Sequence, residues 1–265
     1  MRQVSVKPTD LERCIYLQRA QPANEARLQN RDANIRLGDA SELRTYPPLQ
    51  LLLIALTFVT GILDATTYLG FGHIFAANMT GNFVLLAVGV LRAGDVSMTA
   101  SVFAVAGFLV GVAAGGRLAR LLNFRWQRCL VTTLTIVVGL LLVALLAAAN
   151  RGRLGDYPAL AVLACAMGLT NATASLIGTE GLTTTTVITS TLTSLISCTQ
   201  VPHADTRKRL RQIAAVSALV LGAVVGGAVA LQFGATIAIG TGSAVESAAV
   251  AAYITTLARK RRTIH

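Results

Sequence analysis

The chain has 265 residues, 54% of them hydrophobic and only 13% charged, with a mean hydropathy of +0.62. A water-soluble domain carries roughly a quarter charged residues, so this composition argues against the ordinary soluble classes and for a membrane protein. The net charge of +11 and pI near 10.4 do not point to nucleic acid, because the 23 Lys and Arg lie almost entirely between the apolar runs or at the chain ends.

Residues 1–46 hold eight basic and six acidic side chains and little apolar periodicity. They read as a cytoplasmic tail, partly disordered, with one short helix around 10–20, and they are too polar for a cleavable signal peptide. Pro47-Pro48 punctuates the entry to the first apolar run. Residues 49–70, 74–91, 99–116, 129–149, 158–178, 213–233 and 236–258 then contain no Lys or Arg. Each approaches or exceeds the roughly 17–25 residues that cross a bilayer as a helix. The expectation is an all-α polytopic transmembrane helix bundle, with seven spans by hydropathy.

A repeat modifies that count. "TGILDATTYL" (60–69) aligns without gaps on "MGLTNATASL" (167–176), pairing Gly61 with Gly168 and Asp64 with Asn171. Further on, Gly107 and Gly111 pair with Gly222 and Gly226, and "NMTGN" (78–82) falls opposite "VITST" (187–191). The chain then divides into the tail 1–46, membrane repeats 47–150 and 151–258, and a basic tail 259–265. If 74–91 is a span, its counterpart 182–200 is one too, which makes about eight spans in two four-helix repeats. An even number per repeat makes the halves parallel, with Asp64 and Asn171 at one depth. With the N-terminus in the cytoplasm, this scheme puts fourteen basic residues inside and four outside: Arg117, Arg120, Arg125 and Arg128. Those four conflict with the positive-inside rule. Either their loop tolerates external charge, or the first half is miscounted by one span.

The stretch "DATTYLGFGHIFAANMTGN" (64–82) concentrates polar groups in an apolar neighbourhood. Asp64 lies six residues before the end of its run, about 9 Å deep at helical rise. Asn78, Thr80 and Asn82 enter the next run to a similar depth, with Tyr68 and His73 nearer the surface. An unpaired acid in hydrocarbon is costly, so this cluster is either a solute or proton site, or a clamp between helices. Gly81 allows close backbone approach or a break in the helix. Asn171, Glu180 and the mid-run Glu246 are candidate completions. Many membrane Thr simply bond the i−4 carbonyl, which makes the Thr run packing first and lining second.

Gly107, Gly111 and Gly115, echoed by Gly222 and Gly226, make small-residue faces for close helix packing, to which Gly61, Gly81 and Gly168 add. The four cysteines show no C-x-x-C spacing, and the three histidines are far apart in sequence. No catalytic motif, metal set or cofactor pattern is legible, so no enzyme is expected.

"TGILDATTYLGFGHIFAANMTGNFVLLAVGV" resembles the signature of the YoaK-like family of bacterial inner-membrane proteins. The residues carrying the resemblance are Gly61, Asp64 and Ala65, then Phe75, Ala77, Asn78, Met79, Thr80, Gly81 and Asn82. With the second-half motif it covers roughly residues 50–258. The resemblance implies an inner-membrane location and a helical architecture, and it assigns no substrate. The N-terminal tail is longer than the family norm, and Ser190 stands where the second half would carry a glycine. The reading that follows is a small transporter or permease of an unidentified solute, with the lipid bilayer, a small solute or proton, and a second copy of the chain as candidate partners. The alternative is a non-transporting scaffold or partner subunit in which the cluster only clamps helices.

Overall fold

The computed structural model describes residues 47–91, 96–123, 125–150, 156–177 and 206–262. The chain divides into two units, Met1–Tyr46 and Pro47–His265, and the helices below belong to the second. Among the described residues the structure is wholly helical apart from turns and short irregular links. α1 (Pro47–Gly70) opens on its proline pair, whose fixed φ suits a first turn. It stops where Gly72 and His73 take φ of 86° and 63°. α2 (Met79–Val90) is capped by Asn78, whose side chain accepts from the Gly81 amide, and α3 (Met98–Leu121) is capped by Ser97. Asn123 at φ 51° reverses the chain into α4 (Trp126–Ala149), which α5 (Tyr157–Ile177) follows. Gly234, at φ 91°, is the single residue between α6 (Thr206–Phe233) and α7 (Ala235–Arg262).

Six of these helices are long and apolar enough to cross a membrane. α2 is not: its 12 residues rise only about 18 Å against roughly 30 Å of hydrocarbon. The run 74–91 is therefore no span. A Cβ on Gly72 would lie 3.3 Å from Cβ of Ser97, so the chain leaves the end of α1 and returns beside it to begin α3. Between those points it dips: the Ala77 amide reaches the side chain of Asp64, about 9 Å back along α1. α2 climbs out again, with Gly89 packed on Met98. Residues 71–90 form a re-entrant hairpin.

Contacts fix the direction of every long helix. Calling the end where α1 finishes the upper end, α3 starts there. Gly107, Gly111 and Gly115 of α3 pack on Ala161, Cys165 and Ala172 of α5, so these two run parallel. Gly61 on Leu219, and Gly227 on Leu69, make α1 and α6 parallel. α7 descends beside α1, from Ala235 against Gly70 to Gly242 against Leu63. Thr236 donates to the Ala148 carbonyl at 3.4 Å, and Gly240 faces Leu145, so α4 and α7 are antiparallel. α1, α4 and α6 run up; α3, α5 and α7 run down.

The expected helical bundle is present, with two corrections inside it. Six described helices are long enough to cross, and α5 runs antiparallel to α1, not parallel, because the hairpin returns the chain to the side it left. The segment 182–200, expected as a further span, lies outside the described residues.

The closest pairs are α1 with α6 and α3 with α5. A Cβ on Gly61 would overlap the Leu219 carbonyl oxygen, one on Gly111 that of Cys165, one on Gly168 that of Phe108, and one on Gly222 that of Phe58. These backbones touch, and hydrogen is the only side chain that fits. Gly111→Val is expected to lower thermal stability in detergent by the roughly 1–3 kcal/mol of an overpacked core, or more since backbone must move. Gly139→Val, on an exposed face with nothing within 4 Å, is expected to leave it unchanged.

Candidate functional site

The re-entrant hairpin gathers most of the polar residues singled out in the sequence. Asp64, 8% exposed, accepts a 2.7 Å hydrogen bond at Oδ1 from the Ala77 amide, and the amides of Ala76 and Asn78 are also directed at its carboxylate. Three consecutive backbone donors thus converge on one acid. Asn82, fully buried, pairs with Phe75 as a second peptide would: its Nδ2 donates to the Phe75 carbonyl at 2.7 Å, and the Phe75 amide donates to its Oδ1 at 2.9 Å. Both ends of the irregular segment 75–77 are satisfied by side chains, one from α1 and one from α2. Partners of this kind are what a bilayer demands of non-helical backbone.

Aromatic groups close the upper side. Tyr68 stacks on Phe75 at 5.2 Å and meets His73 edge-on at 5.1 Å. His73 also donates its amide to the Tyr68 carbonyl at 3.1 Å, which stabilises its positive φ. At Gly81 a side chain would be crowded, since a Cβ there would lie 3.0 Å from the Phe75 ring and 3.1 Å from Asn78 Nδ2. Thr66 and Thr67 bond the carbonyls of Ile62 and Leu63, the local back-bonding expected of membrane threonines.

The remaining candidates fall elsewhere. Thr80 is exposed on α2 and takes no part in the cluster. Asn171 lies near the lower end of α5, so it is at the opposite end of the bundle from Asp64 rather than facing it. Their equal depth was inferred from parallel halves, and the antiparallel run of α5 removes it. Glu180 lies outside the described residues. Glu246 is 1% exposed on α7, one turn below the contact of Gly242 with Leu63, and so beneath the hairpin rather than in it.

Two contributors were not read from the sequence. The backbone of residues 75–77 is the partner of both polar anchors, and no residue type announces a backbone donor. Thr173 and Thr133 form a 3.1 Å hydroxyl pair between α5 and α4. Its only signal was the match of Thr173 to Thr66.

Comparison with known proteins agrees with this architecture. The model of the family described as "Protein of unknown function (DUF1275)" matches residues 52–252. The UPF0700 transmembrane protein YoaK of Bacillus subtilis (strain 168) is 32% identical over 146 residues, which cover 55% of this chain and 64% of that protein. No solved structure matches. With six helices long and apolar enough to cross a bilayer, and a family match extending over most of its length, the chain belongs to the DUF1275 family of multi-pass membrane proteins.

Proposed function

We propose that the protein is a small transporter or permease whose solute pathway runs past the re-entrant hairpin. The observation that carries this reading is the irregular segment 75–77, held at membrane depth by Asp64 and Asn82. Non-helical backbone survives in a bilayer only where protein buries it or where it lines a cavity, and discontinuous segments of this kind form the sites of many transporters. Asp64 and Asn82 are positioning residues in this reading. They hold the segment, and the segment and the α2 N-terminus meet the solute.

The two halves support it as an inverted duplication. If Gly61 answers Gly168, its neighbour Leu219 should answer Phe108, and the offset between those two neighbours is carried on by Gly111 with Gly222 and Gly115 with Gly226. These are the glycines whose partners, Cys165 with Phe58 and Leu169 with Ile62, also match. The glycine pairing is one turn away from the one read in the sequence, and the axis lies in the membrane plane. Inverted repeats are a common transporter plan.

On this reading the lower end of the bundle is the cytoplasmic one. With the lower end cytoplasmic, fifteen basic residues lie inside: Arg31, Arg36, Arg44, Arg117, Arg120, Arg125, Arg128, the group 207–211 and the tail 259–262. Three lie outside, Arg92, Arg151 and Arg153. The four arginines that conflicted with eight spans join the cytoplasmic majority with six.

The test is uptake by proteoliposomes across a panel of amino acids, sugars, nucleosides, organic acids and inorganic ions. At least one is expected to enter above the empty-liposome level, and Gly81→Val, which drives a side chain into the Phe75 ring, should abolish its entry. Entry of none of them, from folded protein, favours the rival reading of a scaffold. The wholly internal bonding of Asp64 and Asn82 is the observation on that side.

A further inference from the structure

We propose that Glu246 is a proton-binding carboxyl at the centre of the membrane. Its side chain is 1% exposed, and neither carboxylate oxygen has a hydrogen-bond partner among the described residues. Asp64 shows the contrast: the other acid of the described spans is bonded to the backbone. Glu246 lies 11 residues below the start of α7, about 16 Å along the axis, which is close to the bilayer midplane.

Among the described residues, the groups around it supply no counter-charge. α7 packs on α1, α4 and α6. On α1 the titratable groups are Asp64, about 7 Å higher and turned to the hairpin amides, and Tyr68 above it. On α4 they are Arg128 and Cys129, about 15 Å lower, and on α6 Arg211, about 13 Å lower. On α7 itself Tyr253 lies about 10 Å below, and Arg259 about 20 Å below. No described side chain of either sign sits level with Glu246. A lone carboxylate in such surroundings takes up a proton rather than remain charged.

A groove between the lower ends of α1 and α7 begins at Pro48 and Thr256 and rises past Tyr253 to Ala55 and Ala249. Ala249 is one helical turn from Glu246.

Glu246 is outside the hairpin, and its protonation can be read without any flux, so this proposal and the transport reading fail separately. The probe is dicyclohexylcarbodiimide, an apolar reagent that adds to protonated carboxyls, applied to the full chain in nanodiscs and located by peptide mapping. Labelling at Glu246 is expected, falling about tenfold per pH unit once the carboxyl ionises. In the infrared, a protonated-carboxyl carbonyl band should vanish in Glu246→Gln and persist, shifted, in Glu246→Asp. If Glu246 goes unlabelled at every pH and the wild type shows only ionised-carboxylate bands, the site holds a cation or an ion-pair partner and the proposal is wrong. The wild-type measurements decide this even if Glu246→Gln does not fold.

Discussion

Cysteines introduced at Arg120 and Lys208, in a background lacking the natural cysteines, are expected to react with an impermeant thiol reagent from the same side of the membrane. A cysteine at Arg153 should react only from the other side. The effect is all or none, because a charged reagent does not cross the bilayer. Four spans in the first half would put Arg120 and Lys208 on opposite faces. In the present fold the hairpin 71–90 does not cross, so α3 descends and carries Arg120 to the lower end, where α6 also begins. Labelling of those two positions from opposite sides would mean that α2 completes a crossing, contrary to its 12-residue length. The positive-inside distribution depends on the same outcome, since the four arginines between α3 and α4 change sides with it.

The second large effect is expected at Asn82. Asn82→Leu removes both hydrogen bonds to Phe75 and leaves that residue's part-buried amide and carbonyl without partners. Each orphaned group costs about 1–3 kcal/mol, so the hairpin should lose roughly 2–6 kcal/mol. That is comparable with the whole stability of many proteins. Asp64→Leu should act in the same direction by abandoning the amides of Ala76, Ala77 and Asn78. Asp64→Asn keeps an oxygen facing Ala77 and should be much milder. Thermal unfolding in detergent, with proteolysis of the segment 71–78 as a local readout, separates the three. If Asn82→Leu unfolds at the wild-type temperature with the hairpin still protected, the bidentate pairing is not what holds it. Thr80→Val, exposed and outside the cluster, serves as the control.

Much of this was legible in the chain itself. The six long helices correspond to Lys- and Arg-free runs, since hydrocarbon excludes charge whatever the tertiary arrangement. The polar cluster was legible as well: Asp64, Tyr68, His73, Asn78 and Asn82 all meet at the hairpin, because two segments joined by a short turn must be neighbours. The family resemblance rested on the same residues, and the residues of that turn are the ones the anchors hold. The conflict posed by Arg117, Arg120, Arg125 and Arg128 already raised a miscount in the first half as one of its two explanations.

What composition could not decide was direction. A run of 18 apolar residues reads identically whether it crosses the membrane or enters and returns, and the 12-residue length of α2 with the closeness of Gly72 to Ser97 distinguishes the two. That geometry reverses α3, α4 and α5, and leaves α6 and α7 running as the eight-span scheme had them. It makes α5 antiparallel to α1 and sends Asn171 to the far end from Asp64. The partner of Asp64 was equally hidden, because backbone amides are the same at every residue and only the fold aims three of them at one carboxylate. The sequence by itself determined which segments enter the membrane and which polar residues go with them. The tertiary structure decided which of those residues are satisfied: Asp64 and Asn82 by the backbone they hold, and Glu246 by no described neighbour.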